Sequence, residues 1–131
     1  MTDADYGVSL SLRDRAFRDE VRAFLDSALT ADTPTQTRTR GEKTRLERMR
    51  WWQTRLHEAR LAAISWPTEF GGRSATPVQQ LIFNAEMAAA RAPEPINRSA
   101  INQLGPTIIQ WGTDEQRAHY LPRILSAEDV W

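Results

Sequence analysis

An all-α fold, an antiparallel bundle of about five helices, is what this sequence predicts, and three observations predict it. Apolar residues recur at helical spacing through most of the chain, cap and breaker residues divide that pattern into segments, and nothing before Val130 alternates as a strand would. With 131 residues there is room for one compact domain with a real core.

Phe17, Val21, Phe24, Leu25, Ala28 and Leu29 share one face of a first helix over about residues 12 to 29. Residues 1–11 read as a flexible amino terminus. The threonine-rich stretch 30–41, broken by Pro34 and Gly41, reads as a flexible surface connection. From Glu42 the period returns with Leu46, Met49, Trp52, Leu56, Ala59 and Ala63 on the inner side of a second helix. That helix is expected to end at Ile64-Ser65-Trp66-Pro67, because proline pushes its predecessor out of the α region, and Gly71-Gly72 complete a tight turn.

Thr76-Pro77-Val78-Gln79 starts a third helix, with threonine at the cap, proline at the first position and glutamine placed to reach back to the threonine amide. Its expected buried face is Val78, Leu81, Ile82, Ala85 and Ala89, and Pro93 and Pro95 stop it. Ile101, Leu104, Ile108 and Trp111 mark a fourth helix closed by Gly112. Gly105-Pro106 inside it should bend it and free the carbonyl of Asn102 from its usual partner. Thr113-Asp114-Glu115-Gln116 repeats the capping box, and Tyr120, Leu121, Ile124 and Leu125 give a fifth helix its apolar side, with Pro122 expected to distort the last turn. The Ser126-Ala127-Glu128-Asp129 turn opens into Val130-Trp131, two residues suited to the first step of a strand, so the chain is expected to be cut where a β domain begins.

Composition narrows the function classes. Seventeen basic residues balance 17 acidic ones, so no global field draws the chain to nucleic acid or an anionic membrane. The absence of cysteine excludes disulfides, thiolate zinc sites and a cysteine nucleophile, and fits a reducing compartment. No apolar stretch approaches membrane-spanning length, and the first residues are acidic where a secretory signal would be basic, so the reading is cytoplasmic. His57 and His119 lack partners at metal spacing, so no metal site is expected. Asp114 and Glu115 are accounted for by the positive end of a helix dipole rather than by acid–base chemistry. Glu69 is expected to stabilise its turn through nearby amides, and Trp51, Trp52, Trp66 and Trp111 to anchor helix packing. Between Arg38 and Arg60, eight basic residues face three acids and flank Trp51-Trp52; this reads as a solvated or protein-docking face rather than a nucleic-acid site.

Three stretches together resemble the amino-terminal helical domain of the acyl-CoA dehydrogenase family. The first is Trp66-Pro67-Thr68-Glu69-Phe70-Gly71-Gly72, similar to the family's proline, acid, aromatic, Gly-Gly turn. The second is Asn102-Gln103-Leu104-Gly105-Pro106 followed by Gly112-Thr113-Asp114-Glu115-Gln116, and the third is Tyr120-Leu121-Pro122 with Ile124 and the acidic turn before Trp131. Each alone occurs in unrelated proteins; their order and spacing over residues 12–131 carry the resemblance.

The resemblance implies α,β-oxidation of an acyl-CoA thioester: a carboxylate base removes the α proton and flavin takes the β hydride. It places residues 12–129 in the helical domain and 130–131 at the start of a missing middle β domain. The family's base and main flavin contacts come from later segments, and the Ser/Thr-Glu-Pro and Gly-Ser-Asp motifs are absent from this sequence. No catalytic and no cofactor-binding residue is therefore assigned here. FAD is expected in the complete enzyme and not to be retained by this chain, which is expected to be inactive alone. By position, Ala100, Ile101 and Leu104 would form part of the wall around the acyl tail. Implied partners are the acyl-CoA, an electron-transfer acceptor and the other subunits of a homo- or hetero-tetramer. Fatty, branched and steroid side-chain thioesters stay open as substrates, as does oxidase chemistry. The competing reading is a non-catalytic helical interaction module, or a subunit pairing with a separate flavoprotein chain.

Overall fold

The computed structural model describes residues 7–29 and 42–131. The readings of residues 1–6 and 30–41 lie outside them. Among the described residues there are five α-helices and no strand: α1 (Leu12–Ala28), α2 (Glu42–Glu58), α3 (Pro77–Ala89), α4 (Gly105–Trp111) and α5 (Asp114–Leu125). A 3-10 turn covers Thr68–Phe70, and a π-helical turn, Ala100–Leu104, leads into α4. The chain forms two compact units, Met1–Thr33 with Ala75–Ala92 and Pro34–Ser74 with Pro93–Trp131.

Helices α1 and α3 make up the first unit. Ser11 caps α1 by accepting from the Asp14 amide while the Asp14 carboxylate accepts from the Ser11 amide, a capping box formed with aspartate. Phe17, Val21, Leu25 and Ala28 bury the expected stripe, and Leu10 just ahead of the cap is buried as well. Thr76 and Gln79 form the predicted reciprocal cap of α3. The α3 face departs from expectation: Ile82 is buried, Leu81 and Ala89 are exposed, and Glu86 lies inside. Its carboxylate accepts from Arg22 Nε at 2.8 Å, so the inner stripe contains a carboxylate that apolar periodicity does not register.

In the second unit α2 stops at Glu58, five residues short of the expected inner-face residue Ala63. Arg60 adopts φ 60°, its amide donates to His57 O, and the Leu61 amide donates to Leu56 O. This is the Schellman ending with arginine where glycine is usual, so no glycine in the sequence announces it. Arg73 reinforces the stop by donating to the carbonyls of Arg60 and Ala59, each at 2.8 Å. Leu46, expected inside, is 45% exposed.

The core of this unit gathers Ala63, Trp66, Ala100, Ile101, Leu121, Ile124 and Leu125. Gly71 turns the chain with φ 93°. Phe70 and Gly72 amides donate to Pro67 O, the Gly71 amide to Thr68 O, and the Thr68 amide to Ser74 Oγ. These bonds hold the turn, whereas Glu69 is exposed and its carboxylate has no hydrogen-bond partner among the described residues. That corrects its expected role. Trp111, expected as an anchor, is 78% exposed, while Trp52 and Trp66 are buried and Trp51 is half-buried with Arg55 over its ring.

Candidate functional site

The segment from Asn97 to Trp111 carries the three residues expected to face an acyl tail, and proline sets its shape. The Gly105 amide donates to Ala100 O, five residues back, which is the π register. In that register Pro106, which has no N–H, fails the carbonyl of Ile101 rather than that of Asn102. The expectation for Asn102 is corrected by this shift. The Trp66 indole Nε1–H supplies the missing donor to Ile101 O at 2.9 Å. Gly105 abuts the same indole: a Cβ built there would stand 2.1 Å from Trp66 Cζ2. One proline, one glycine and one tryptophan thus fix the bend as a unit.

Ala100 and Ile101 point into the core beneath this bend and are buried. Leu104 is half-buried and lines an apolar groove of about 320 Å³ with Ile108, Trp111, Tyr120 and Trp131. The three predicted residues are therefore split: Ala100 and Ile101 lie in the core, and Leu104 lines the groove. A second recess of about 410 Å³ lies at Met49, Glu94, Arg98, Ser99, Asn102 and Gln103. Its one cation, Arg98, is already paired with Glu94 at 2.6 Å.

Buried amides, which no motif or periodicity singles out, join these parts. Gln53 and Asn97 have no exposed surface. A helix end leaves four carbonyls without intrahelical donors. At the end of α5, Pro122 O accepts from the Ser126 amide and Arg123 O from the Asp129 amide, Ile124 O from Asn97 Nδ2 at 2.9 Å and Leu125 O from Gln53 Nε2 at 2.8 Å. Asn97 Nδ2 also donates to Asp129 O at 2.7 Å, and Asn97 Oδ1 accepts from the Trp131 amide at 3.1 Å. Trp131 is thereby held, with its ring edge-on to Tyr120 at 6.1 Å between centroids although 56% exposed. Arg123 closes the turn by a two-pronged pair with Asp129, Nε to Oδ2 and Nη2 to Oδ1, both 2.8 Å.

Hydrogen bonding from Arg123 holds the Asp129 carboxyl below its ordinary value; desolvation opposes this, and the charges of Arg123 and His119 add to it. The Arg123 guanidinium is correspondingly raised, chiefly by its hydrogen bond to Asp129. The Thr113–Gln116 capping box of α5 forms as predicted, and Asp114 pairs with Arg117 at 2.9 Å in the first turn. The helix continues through Pro122 to Leu125.

Among the described residues no group of three or more His, Asp or Glu side chains is placed to hold a metal ion, and no helix is long and apolar enough to cross a membrane.

Comparison with known proteins gives this geometry a family. The model of the acyl-CoA dehydrogenase N-terminal domain matches residues 11–128. The chain is similar to acyl-CoA dehydrogenase IpdE1 of Mycolicibacterium smegmatis, 36% identical over 118 residues that cover 88% of this chain and 30% of that protein. It is also similar to acyl-CoA dehydrogenase FadE26 of Mycobacterium tuberculosis, 46% identical over 66 residues, 50% of this chain and 16% of that one. In the ChsE4–ChsE5 complex from Mycobacterium tuberculosis a chain 30% identical superposes with a TM-score of 0.69, covering 92% of this chain and 29% of that chain. The chain thus spans about 30% of the length of IpdE1. With the family model matching most of its length and its described secondary structure all helical, this chain belongs to the acyl-CoA dehydrogenase family, as its amino-terminal domain.

Proposed function

We propose that this chain is the amino-terminal helical part of a cytoplasmic, FAD-dependent acyl-CoA dehydrogenase that oxidises the α,β bond of an acyl-CoA thioester. The observation that carries the site reading is the apolar groove onto which Leu104 opens from the bend. In this reading Leu104 touches the acyl tail, and Ala100 and Ile101 support it from the core. Ala100 is packed among Trp66, Ile124 and Leu125, so enlarging it would test packing, and Leu104 is the residue through which to test substrate fit.

Neither the groove nor the polar recess offers the cationic lining that flavin's pyrophosphate would call for, which supports placing the flavin site outside this chain. The groove is mostly apolar, with Thr107 and Gln116 its polar lining side chains and no cation, and the one cation of the polar recess, Arg98, is paired with Glu94. No step of the oxidation is therefore assigned to this chain; its part is to shape the apolar site and exclude water from it. The purified chain should be colourless and inactive, and the complete protein yellow, with its flavin bleached by acyl-CoA added without oxygen. Flavin retained by the chain itself, or a complete protein that no acyl-CoA reduces, would overturn the reading.

A second reading is supported by the ChsE4–ChsE5 complex, in which a similar chain occurs in an assembly of two named proteins. Here the chain would pair with a separate flavoprotein subunit. Co-expression with such a subunit should then yield a mixed tetramer.

A further inference from the structure

We infer that Asn97 is a positioning residue that sets one wall of the Leu104 groove by holding Trp131 in place. This rests on the reading of that groove as the acyl-tail site. Asn97 does not reach the groove, which is lined by Leu104, Ile108, Trp111, Tyr120 and Trp131 among others. It acts through the backbone. Its side chain has two donor hydrogens and one acceptor oxygen, and all are used: Nδ2 donates to Ile124 O and Asp129 O, and Oδ1 accepts the Trp131 amide. Its own amide donates to Gln53 Oε1 at 3.4 Å.

These bonds connect three places that sequence distance keeps apart. Asn97 begins the turn that leads to Leu104, with its carbonyl accepting from the Ile101 amide at 2.8 Å. Ile124 lies in the last turn of α5, the helix that supplies Tyr120. Trp131 lines the groove together with Leu104 and Tyr120, its ring edge-on to that of Tyr120. A fully buried amide with both donor hydrogens and its oxygen engaged is held in place, so the position of the Trp131 backbone beside the groove depends on the asparagine side chain. The ion pair of Arg123 with Asp129 fixes the turn but not the tryptophan amide, which among the described residues is engaged by Asn97.

Two substitutions separate hydrogen bonding from shape. Asn97→Ala removes the amide. Asn97→Asp keeps its shape and the acceptor for the Trp131 amide, but turns the donor nitrogen into an oxygen facing two carbonyls 2.9 and 2.7 Å away. The experiment uses the complete flavoenzyme labelled with 5-fluorotryptophan, with the Trp131 ¹⁹F signal identified through Trp131→Phe. In Asn97→Ala the Trp131 signal should shift and broaden while the signals of buried Trp52 and Trp66 hold. KM for long acyl thioesters should rise about five-fold, the equivalent of one hydrogen bond, with a smaller change in kcat. Asn97→Asp should show the same pattern.

An unmoved Trp131 signal would overturn the inference. So would a moved signal with an unchanged acyl-length profile, provided that Leu104→Trp changes that profile; if Leu104→Trp also leaves it unchanged, the groove reading itself has failed. Should neither Asn97 variant fold with flavin bound, Trp131→Ala, which keeps every Asn97 bond, must reproduce the rise in KM. An unchanged KM there would likewise overturn the inference.

Discussion

In the α1–α3 unit the buried polar group is a carboxylate, Glu86, answered by the Arg22 guanidinium; in the unit of α2, α4 and α5 the buried polar groups are the neutral amides of Gln53 and Asn97, answered by main-chain carbonyls at the end of α5. The two solutions do different work. An ion pair joins two helices at one point and leaves a stranded charge if either member is lost. An amide that caps a helix end places a stretch of backbone, and in this protein that backbone carries Trp131 to the edge of the groove.

The largest expected effect tests the ionic side. Arg22→Ala removes the Nε–H hydrogen bond to the buried Glu86 carboxylate and should destabilise the α1–α3 unit by about 3 kcal/mol, the upper end for a hydrogen bond to a charged group. Urea unfolding measures it. Changing both residues to apolar ones should recover most of the loss, and failure to recover would mean that the pair contributes more than charge balance.

Next comes the bend. Gly105→Ala places a Cβ inside the Trp66 indole and should destabilise the second unit by about 2 kcal/mol. Trp66→Phe removes the donor to Ile101 O and should lose about 1–3 kcal/mol for the orphaned carbonyl, with added loss from the smaller ring. An Ile101 amide-carbonyl signal that stays put in the phenylalanine variant would separate size from hydrogen bonding.

A smaller change sharpens the comparison from the helix ends. Arg91 closes α3 with φ 53°, its amide donating to Ala88 O and the Ala92 amide to Met87 O. Arg91→Gly should stabilise the chain by about 1 kcal/mol, because glycine adopts the left-handed region without strain. A lower thermal midpoint would show that the arginine side chain matters more than its backbone.

The smallest effect is in acid. Asp129 is held below its ordinary value of 3.8, so its carboxylate stabilises the folded chain above that value, and the contribution is lost as pH falls through the lowered one. Asp129→Asn should flatten that part of the stability profile between about pH 5 and pH 2. An unchanged profile would assign acid sensitivity to other carboxylates.

Helix starts were legible because they are written in local chemistry: Thr76 with Gln79 and Thr113 with Gln116 form the predicted boxes bond for bond. Helix stops were harder. Arg60, Arg91 and Ala127 occupy left-handed positions where glycine is usual, so apolar spacing alone carries α2 past its end at Glu58. The bend was visible in Gly105-Pro106, but its register depends on Trp66, a contact across 35 positions in sequence. Glu86, Gln53 and Asn97 sit inside for reasons that only their tertiary partners supply. The candidate site was half legible: Leu104 reaches the groove, Ala100 and Ile101 stay behind it, and Trp111, read as an anchor, stands at the groove's exposed edge.

The most direct test of the account is the acyl-length profile of Leu104→Trp in the complete protein, measured as kcat/KM for the proposed oxidation across a series of acyl-CoA thioesters. Filling the groove should lower kcat/KM for the longer chains by at least about ten-fold relative to the shortest, the equivalent of roughly 1.4 kcal/mol. A parallel profile, equal at every length, would contradict the assignment of this face to the acyl tail.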